Sequence, residues 1–271
     1  MEDSSPDKIL FTDDEGNASS LEDIIADGLD GKYEGRIPAL VKLSESGNPY
    51  QRLMACIVLT SWGHAAGFKL LISWASNPNS VPWVQEPVSV DRIYGANDAF
   101  ENLADALKTS YWNDPTLELQ GMQRKAAEAL LNIYPSYFFG QTLTLALLKD
   151  PFWKNSGQDK IVNVLESCMR TIQDSKKFDF DLPYQTACLL VVLACSNDDM
   201  TAEFAERLIT QFPEHDRMFR ELASALGEAS GQATWQTLNK LKCMGRPTVA
   251  VEVTRVISLR QSRIKPSEES K

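Results

Sequence analysis

The stretch Asn48 to Gly63, N-P-Y-Q-R-L-M-A-C-I-V-L-T-S-W-G, constrains the fold more than any other part of the chain. Asn48 is suited to cap a helix start, and Pro49 follows at the first helical position, where a missing N–H costs nothing. Met54, Ala55, Val58, Leu59 and Trp62 recur at helical spacing, and Gly63 can take the left-handed conformation that ends a helix. Such a helix must bury one face against neighbours. Pro183 to Leu193, laid on Pro49 to Leu59 without a gap, repeats its Pro, Tyr, Gln, Val and Leu. Ala187 to Cys195, which overlaps that echo, is apolar throughout, which predicts a helix covered on both sides.

Helical periodicity extends over most of the remaining chain. Ser20 with Asp23 predicts a capped helix to about Leu29, and Ile37, Leu40, Val41 and Leu43 a short one before the turn at Ser46–Asn48. Phe68 to Trp74, Phe100 to Leu107, Leu117 to Tyr134, Tyr137 to Leu148 and Ile161 to Ile172 follow. Phe204 to Phe212, Met218 to Leu226, Trp235 to Leu241 and a last helix opened by Pro247 complete about twelve or thirteen helices, with no convincing strand pair. In the last helix Val249, Val253, Val256 and Ile257 are expected inside, and Arg255, Arg260 and Arg263 outside. The regularity fails at residues 76–95, where Pro78, Pro82 and Pro87 preclude a continuous helix and Trp83 and Tyr94 sit among them. Such a loop is either a binding element or a plug in which Trp83 folds back over a helix pair. Residues 1–19 read as an acidic tail or a short docked strand, 20–264 as one helical domain, and 265–271 as a polar tail.

The slots Asn48, Pro49, Arg52, Ala55, Leu59 and Gly63 resemble the second helix of a HEAT repeat. Arg124, Ala127 and Leu131 repeat part of that spacing, with Gly121 in place of the Pro; Pro183 and Pro247 open further partial copies carrying Thr186 and Ala250 in the Arg slot. The resemblance implies an all-α fold, an α-solenoid of about six stacked antiparallel helix pairs with degenerate repeats. HEAT proteins bind proteins, and sometimes nucleic acids, along a concave surface lined by their second helices.

Little in the sequence points to catalysis. There are only two histidines: His64 is expected to cap the helix that Gly63 ends, and His215 to sit exposed at a helix start. No HExxH, GxSxG, phosphate loop or GxGxxG is present. Asp13 to Asn17 lacks the alternating ligands of a calcium loop. Cys56, Cys168, Cys188, Cys195 and Cys243 are an odd number without a CxxC pair, and they are expected to be reduced, buried thiols. No metal, cofactor or catalytic residue is therefore expected, nor any membrane span. The N-terminal residues lack the features of a secretory signal, so cytoplasmic residence is expected.

The net charge of −10 is unevenly spread. Residues 1–34 hold eleven acids against Lys8 and Lys32, whereas 240–265 hold seven bases against Glu252 alone. An acidic chain disfavours phosphate binding, which counts against a third reading, a HEAT-like DNA glycosylase. The leading expectation is a non-catalytic binding protein resembling HEAT-like immunity proteins, which neutralise a bacterial toxin; a basic toxin cleft would attract acidic side chains by steered association. A cellular scaffold or adaptor is the alternative. Expected contacts are Trp83 and Tyr94 as anchors with Glu86, Asp91, Asp98, Glu101 and Asp105 as charge partners; Asp98, Glu101 and Asp105 share one helix face.

Overall fold

The computed structural model describes residues 5–174 and 178–264. The expected polar tail at 265–271, and the first four residues of the expected acidic one, lie outside the described residues. Among these the fold is all-α, with fifteen α-helices and two short 3-10 turns. The β pairing found there is confined to two isolated bridges, Thr12 with Ala18 and Val90 with Asn97. Contacts gather the chain into two compact units, Met1–Lys149 and Asp150–Lys271, with no linker in the sequence to announce the division.

The first unit contains α1 (Pro6–Phe11), α2 (Leu21–Leu29), α3 (Ile37–Ser46), α4 (Pro49–Ser61), α5 (Ala65–Ser76), α6 (Ala99–Ser110), α7 (Leu117–Ile133) and α8 (Thr142–Leu147). Helix α4 is its organiser. Asn48 and Gln51 exchange side-chain and backbone bonds in a full capping box, and Gly63 takes φ +74° just past the helix end. Leu53, Ala55, Val58 and Leu59 are fully buried, and Arg52 Nε donates to the Ser44 carbonyl at 3.0 Å, tying α4 to α3. Helix α4 packs against α3, α5 and α6, α5 against α7, and α6 against α7 and α8. Each helix thus meets both its neighbour and its next-but-one in the chain.

Three local features depart from the expected elements. Residues 5–19 are neither a free tail nor a strand: α1 docks by burying Leu10, and the Arg36 guanidinium reaches back to the Thr12 carbonyl at 2.6 Å. The Asp13 carboxylate accepts the N–H groups of Glu15 and Asn17, so this acidic run closes its own turn. Tyr137 and Phe138 precede rather than join the next helix, because Gly140 at φ +51° breaks the chain direction before Thr142.

The second unit contains α9 (Pro151–Lys154), α10 (Gln158–Asp174), α11 (Leu182–Ala194), α12 (Asp198–Gln211), α13 (Asp216–Glu228), α14 (Gln232–Lys242) and α15 (Pro247–Ile264). Helix α11, the echo of α4, is enclosed nearly all round by α10, α12 and α13. Helix α13 then packs on α14 and α15, α12 on α14, and α14 on α15. A polar node holds this end together: Asp198 accepts the backbone N–H groups of Gly231 and Ala233 at 2.9 Å and of Thr234 at 3.3 Å. Arg260, expected outside, is 3% exposed and donates to the carbonyls of Leu226 and Gly231 and to Thr234 Oγ1. Its guanidinium satisfies carbonyls left unpaired around the α13–α14 turn, which explains a charge in the core.

Two further expectations are corrected. Cys195 and Cys243 are exposed, because each lies at a helix C-terminus rather than on a packed face; Cys56, Cys168 and Cys188 are buried. His215 does start a helix but is half-buried, its Nδ1 accepting the Met218 N–H at 3.2 Å and its Nε2 lying 2.9 Å from Asp181. Asp181 in turn caps α11 through the Tyr184 N–H.

Candidate functional site

The loop between α5 and α6 has a buried root and an exposed tip. At the root, Trp83 is 1% exposed and stands edge-on to Trp74, with ring centroids 4.9 Å apart, and to Phe100 at 6.2 Å. Its indole fills the space between α5 and α6, so its side chain is a core plug rather than the surface anchor expected from its setting. At the tip, residues 90–97 form a small hairpin. Asp91 N–H donates to the Ala96 carbonyl, Gly95 N–H to that of Asp91, and the Asp91 carboxylate receives the N–H groups of Ile93 and Tyr94. Gly95 turns the chain at φ +68°.

This turn pushes Ile93 outward to 73% exposure, with Val84 and Val90 also exposed on the same loop. These three residues are absent from the expected contacts. Their only sequence signal is apolar side chains among Pro, Gly and Asp, with no helical period to bury them. Tyr94 is half-buried, edge-on to Phe138 at 5.8 Å, and Glu86 is exposed.

Helix α6 adds the carboxylates. Asp98 accepts from Asn102 Nδ2 at 3.3 Å, and Asn102 also reaches Ser89 Oγ at 3.2 Å, which fastens the loop to the helix. Asp105 is exposed and paired with Lys108. Glu101 is half-buried and accepts the Thr142 hydroxyl at 3.0 Å. Its carboxyl is held above the usual carboxylate range, first by burial and further by the charges of Asp98, Asp91 and Asp105, against the lowering pull of Thr142. A Cβ at position 140 would come 2.9 Å from Glu101 Oε1, so Gly140 permits the close approach of the α8 turn. Asp91, Asp98 and Asp105 therefore each act on Glu101 electrostatically, and Ile93 stands on the same hairpin as Asp91.

Such an arrangement offers negative charge and apolar contact but no nucleophile paired with a base. The thiols of Cys56 and Cys168 are pushed up to about 12 by burial, and His64 Nδ1 is occupied in capping α5 through the Ala66 N–H at 3.2 Å. His64 thus serves both helices, its backbone N–H closing the end of α4 on the Leu59 carbonyl at 2.9 Å and its ring capping α5. Among the described residues, no group of three or more His, Cys, Asp or Glu side chains could hold a metal ion, and no helix is long and apolar enough to cross a membrane. No protein-family model, no curated protein and no solved structure matches the chain.

Proposed function

We propose that the chain is a non-catalytic, protein-binding helical-repeat module of degenerate HEAT-like type, and that its first unit captures a basic partner. The observation that carries this proposal is the hairpin and α6 surface, where the half-buried Glu101 carboxyl feels the charges of Asp91, Asp98 and Asp105 and Ile93 faces outward on the same hairpin. An excess of negative charge is relieved when cations arrive, and an apolar side chain at the same place adds contact area to the attraction. The surrounding charge favours the same sign: residues 1–149 hold twenty acids against eleven bases, a net of −9, while 150–271 hold seventeen against sixteen, a net of −1. The next-but-one helix packing within each unit is consistent with stacked hairpins of the HEAT kind. The partner class that suits this surface is a toxin domain acting on nucleic acid or nucleotides, which makes the chain an immunity protein.

Basic residues do not favour a nucleic-acid enzyme. Arg255 pairs with Glu252, Arg263 with Glu228, and Arg260 is buried. The test is affinity capture from the native cell, identification of the retained protein, and co-expression of the two to measure growth. Ile93→Ser together with Asp98→Asn, which keeps an acceptor for Asn102, should weaken both capture and growth protection while leaving the thermal midpoint unchanged. Undiminished retention of the same partner by that double variant would overturn the assignment of the site. Capture of a harmless protein would leave a scaffold in place of an immunity protein.

A further inference from the structure

A second surface of the first unit, separate in its residues from the hairpin, has its own recognition chemistry. Where the α4–α5 and α6–α7 turns meet, an open groove of about 610 Å³ is lined by Trp62, Trp112, Leu119 and Met122, with Asp114 and Glu118 along it. The lining contains two carboxylates and no Lys or Arg. Trp112 is 74% exposed, and Leu117, the first residue of α7, is 89% exposed.

The groove is rigidly built. Asn113 Nδ2 donates to the carbonyls of Ser61 and Ser110, both at 2.9 Å, clamping the end of α6 to the end of α4. Trp62 Nε1 donates to the Ile25 carbonyl at 3.1 Å and its ring stacks on Tyr33, so one indole wall is fixed in advance. The two helix N-termini nearby do not make the groove an anion site. His64 and Thr116 cap α5 and α7 through their own acceptors, and Asp114 and Glu118 add negative charge at the opening. Lys149 Nζ lies 5.2 Å from the Trp112 ring centroid, so the indole takes a cation, and an arriving guanidinium uses the other ring face or displaces this lysine.

We infer that this groove is a docking site for an extended segment of a partner protein carrying an arginine, with its guanidinium against Trp112 and reaching Asp114 and Glu118, and an apolar neighbour on Leu117. Planar guanidinium suits both the indole face and the paired donors that a carboxylate accepts. A segment, rather than a small cation, is indicated because the exposed Leu117 stands between the lining residues Thr116 and Glu118, where a neighbouring apolar side chain can reach it. This inference does not depend on the hairpin, and variants at Ile93 or Asp98 should leave it intact.

The test uses the full chain with ¹⁵N-labelled indoles and the peptide acetyl-Gly-Leu-Arg-Leu-Gly-amide, followed by NMR. The Trp112 and Trp62 indole signals should shift on titration. The citrulline peptide, which keeps the shape but not the charge, should bind roughly fivefold or more weakly. Trp112→Ala, at an exposed position that spares the fold, should remove the response, and Asp114→Asn with Glu118→Gln should weaken it and flatten its salt dependence. Equal affinity for the arginine and citrulline peptides, or no indole shift at millimolar peptide, would overturn the inference. Equal affinity for arginine amide alone would replace the segment by a small cation, and concentration-dependent indole shifts without peptide would replace it by a second copy of the chain.

Discussion

Single residues carry more of this structure than their types suggest. Asp198 serves three backbone N–H groups around the start of α14, so Asp198→Ala leaves those donors without an acceptor and should lower stability by about 2–4 kcal/mol in urea unfolding. Thr234→Val, which removes one hydroxyl from the same node, should cost about 1 kcal/mol. Glu101 gives a prediction with a pH sign. Its native pKa is raised above the ordinary 4.5, so the folded state holds the proton more tightly than the unfolded one. The ionised, half-buried carboxylate therefore opposes folding at pH values above its native pKa, and that penalty fades as pH falls toward and below 4.5. Glu101→Gln, which can still accept from Thr142, should be more stable than the parent at pH 7 and equal to it at about pH 4. A gap that widened on acidification would show that burial is not what holds Glu101 up. Arg260 illustrates what was legible: Val249, Val253, Val256 and Arg260 follow a four-three-four spacing, so the position lay on the buried face while the side chain argued for solvent.

At the scale of elements, helix boundaries were the most legible part of the chain, because caps and stops are local chemistry. Asn48, Ser20 and Gly63 behave as their types dictate. The short α9 was missed, since four residues opened by Asp150 and Pro151 leave no period to read. The loop after α5 was legible only as the absence of a helix; which of its side chains turn inward depends on α5 and α6 packing around Trp83, a non-local fact. Two substitutions separate its parts. Trp83→Ala should cost about 3–5 kcal/mol, as a large buried ring is deleted between Trp74 and Phe100. Ile93→Ser should change stability by less than about 0.5 kcal/mol and act on binding alone. Gly28 marks a comparable close approach in α2, where an added Cβ would lie 2.0 Å from the Trp62 ring. Gly28→Ala should therefore displace that indole and destabilise the first unit by about 1–3 kcal/mol, measurable by Trp fluorescence during unfolding.

Across the whole molecule, charge is the property that divides the chain most clearly. Nearly all of the net −10 belongs to residues 1–149, and the seven bases at 240–265 are balanced by acids elsewhere in residues 150–271. Because Arg255 and Arg263 are paired and Arg260 is enclosed, duplex DNA should show no retention even at about 50 mM salt, and Arg255→Gln with Arg263→Gln should change nothing. Retention by the parent that disappeared in the double variant would restore the nucleic-acid reading. The division of the α5–α6 loop into a sealed root and an outward tip also bears on descent. With Trp83 closing the core beneath it, a change at Ile93 or Arg92 alters the outward tip without reworking the helices, which leaves this point free to vary while the frame stays as it is.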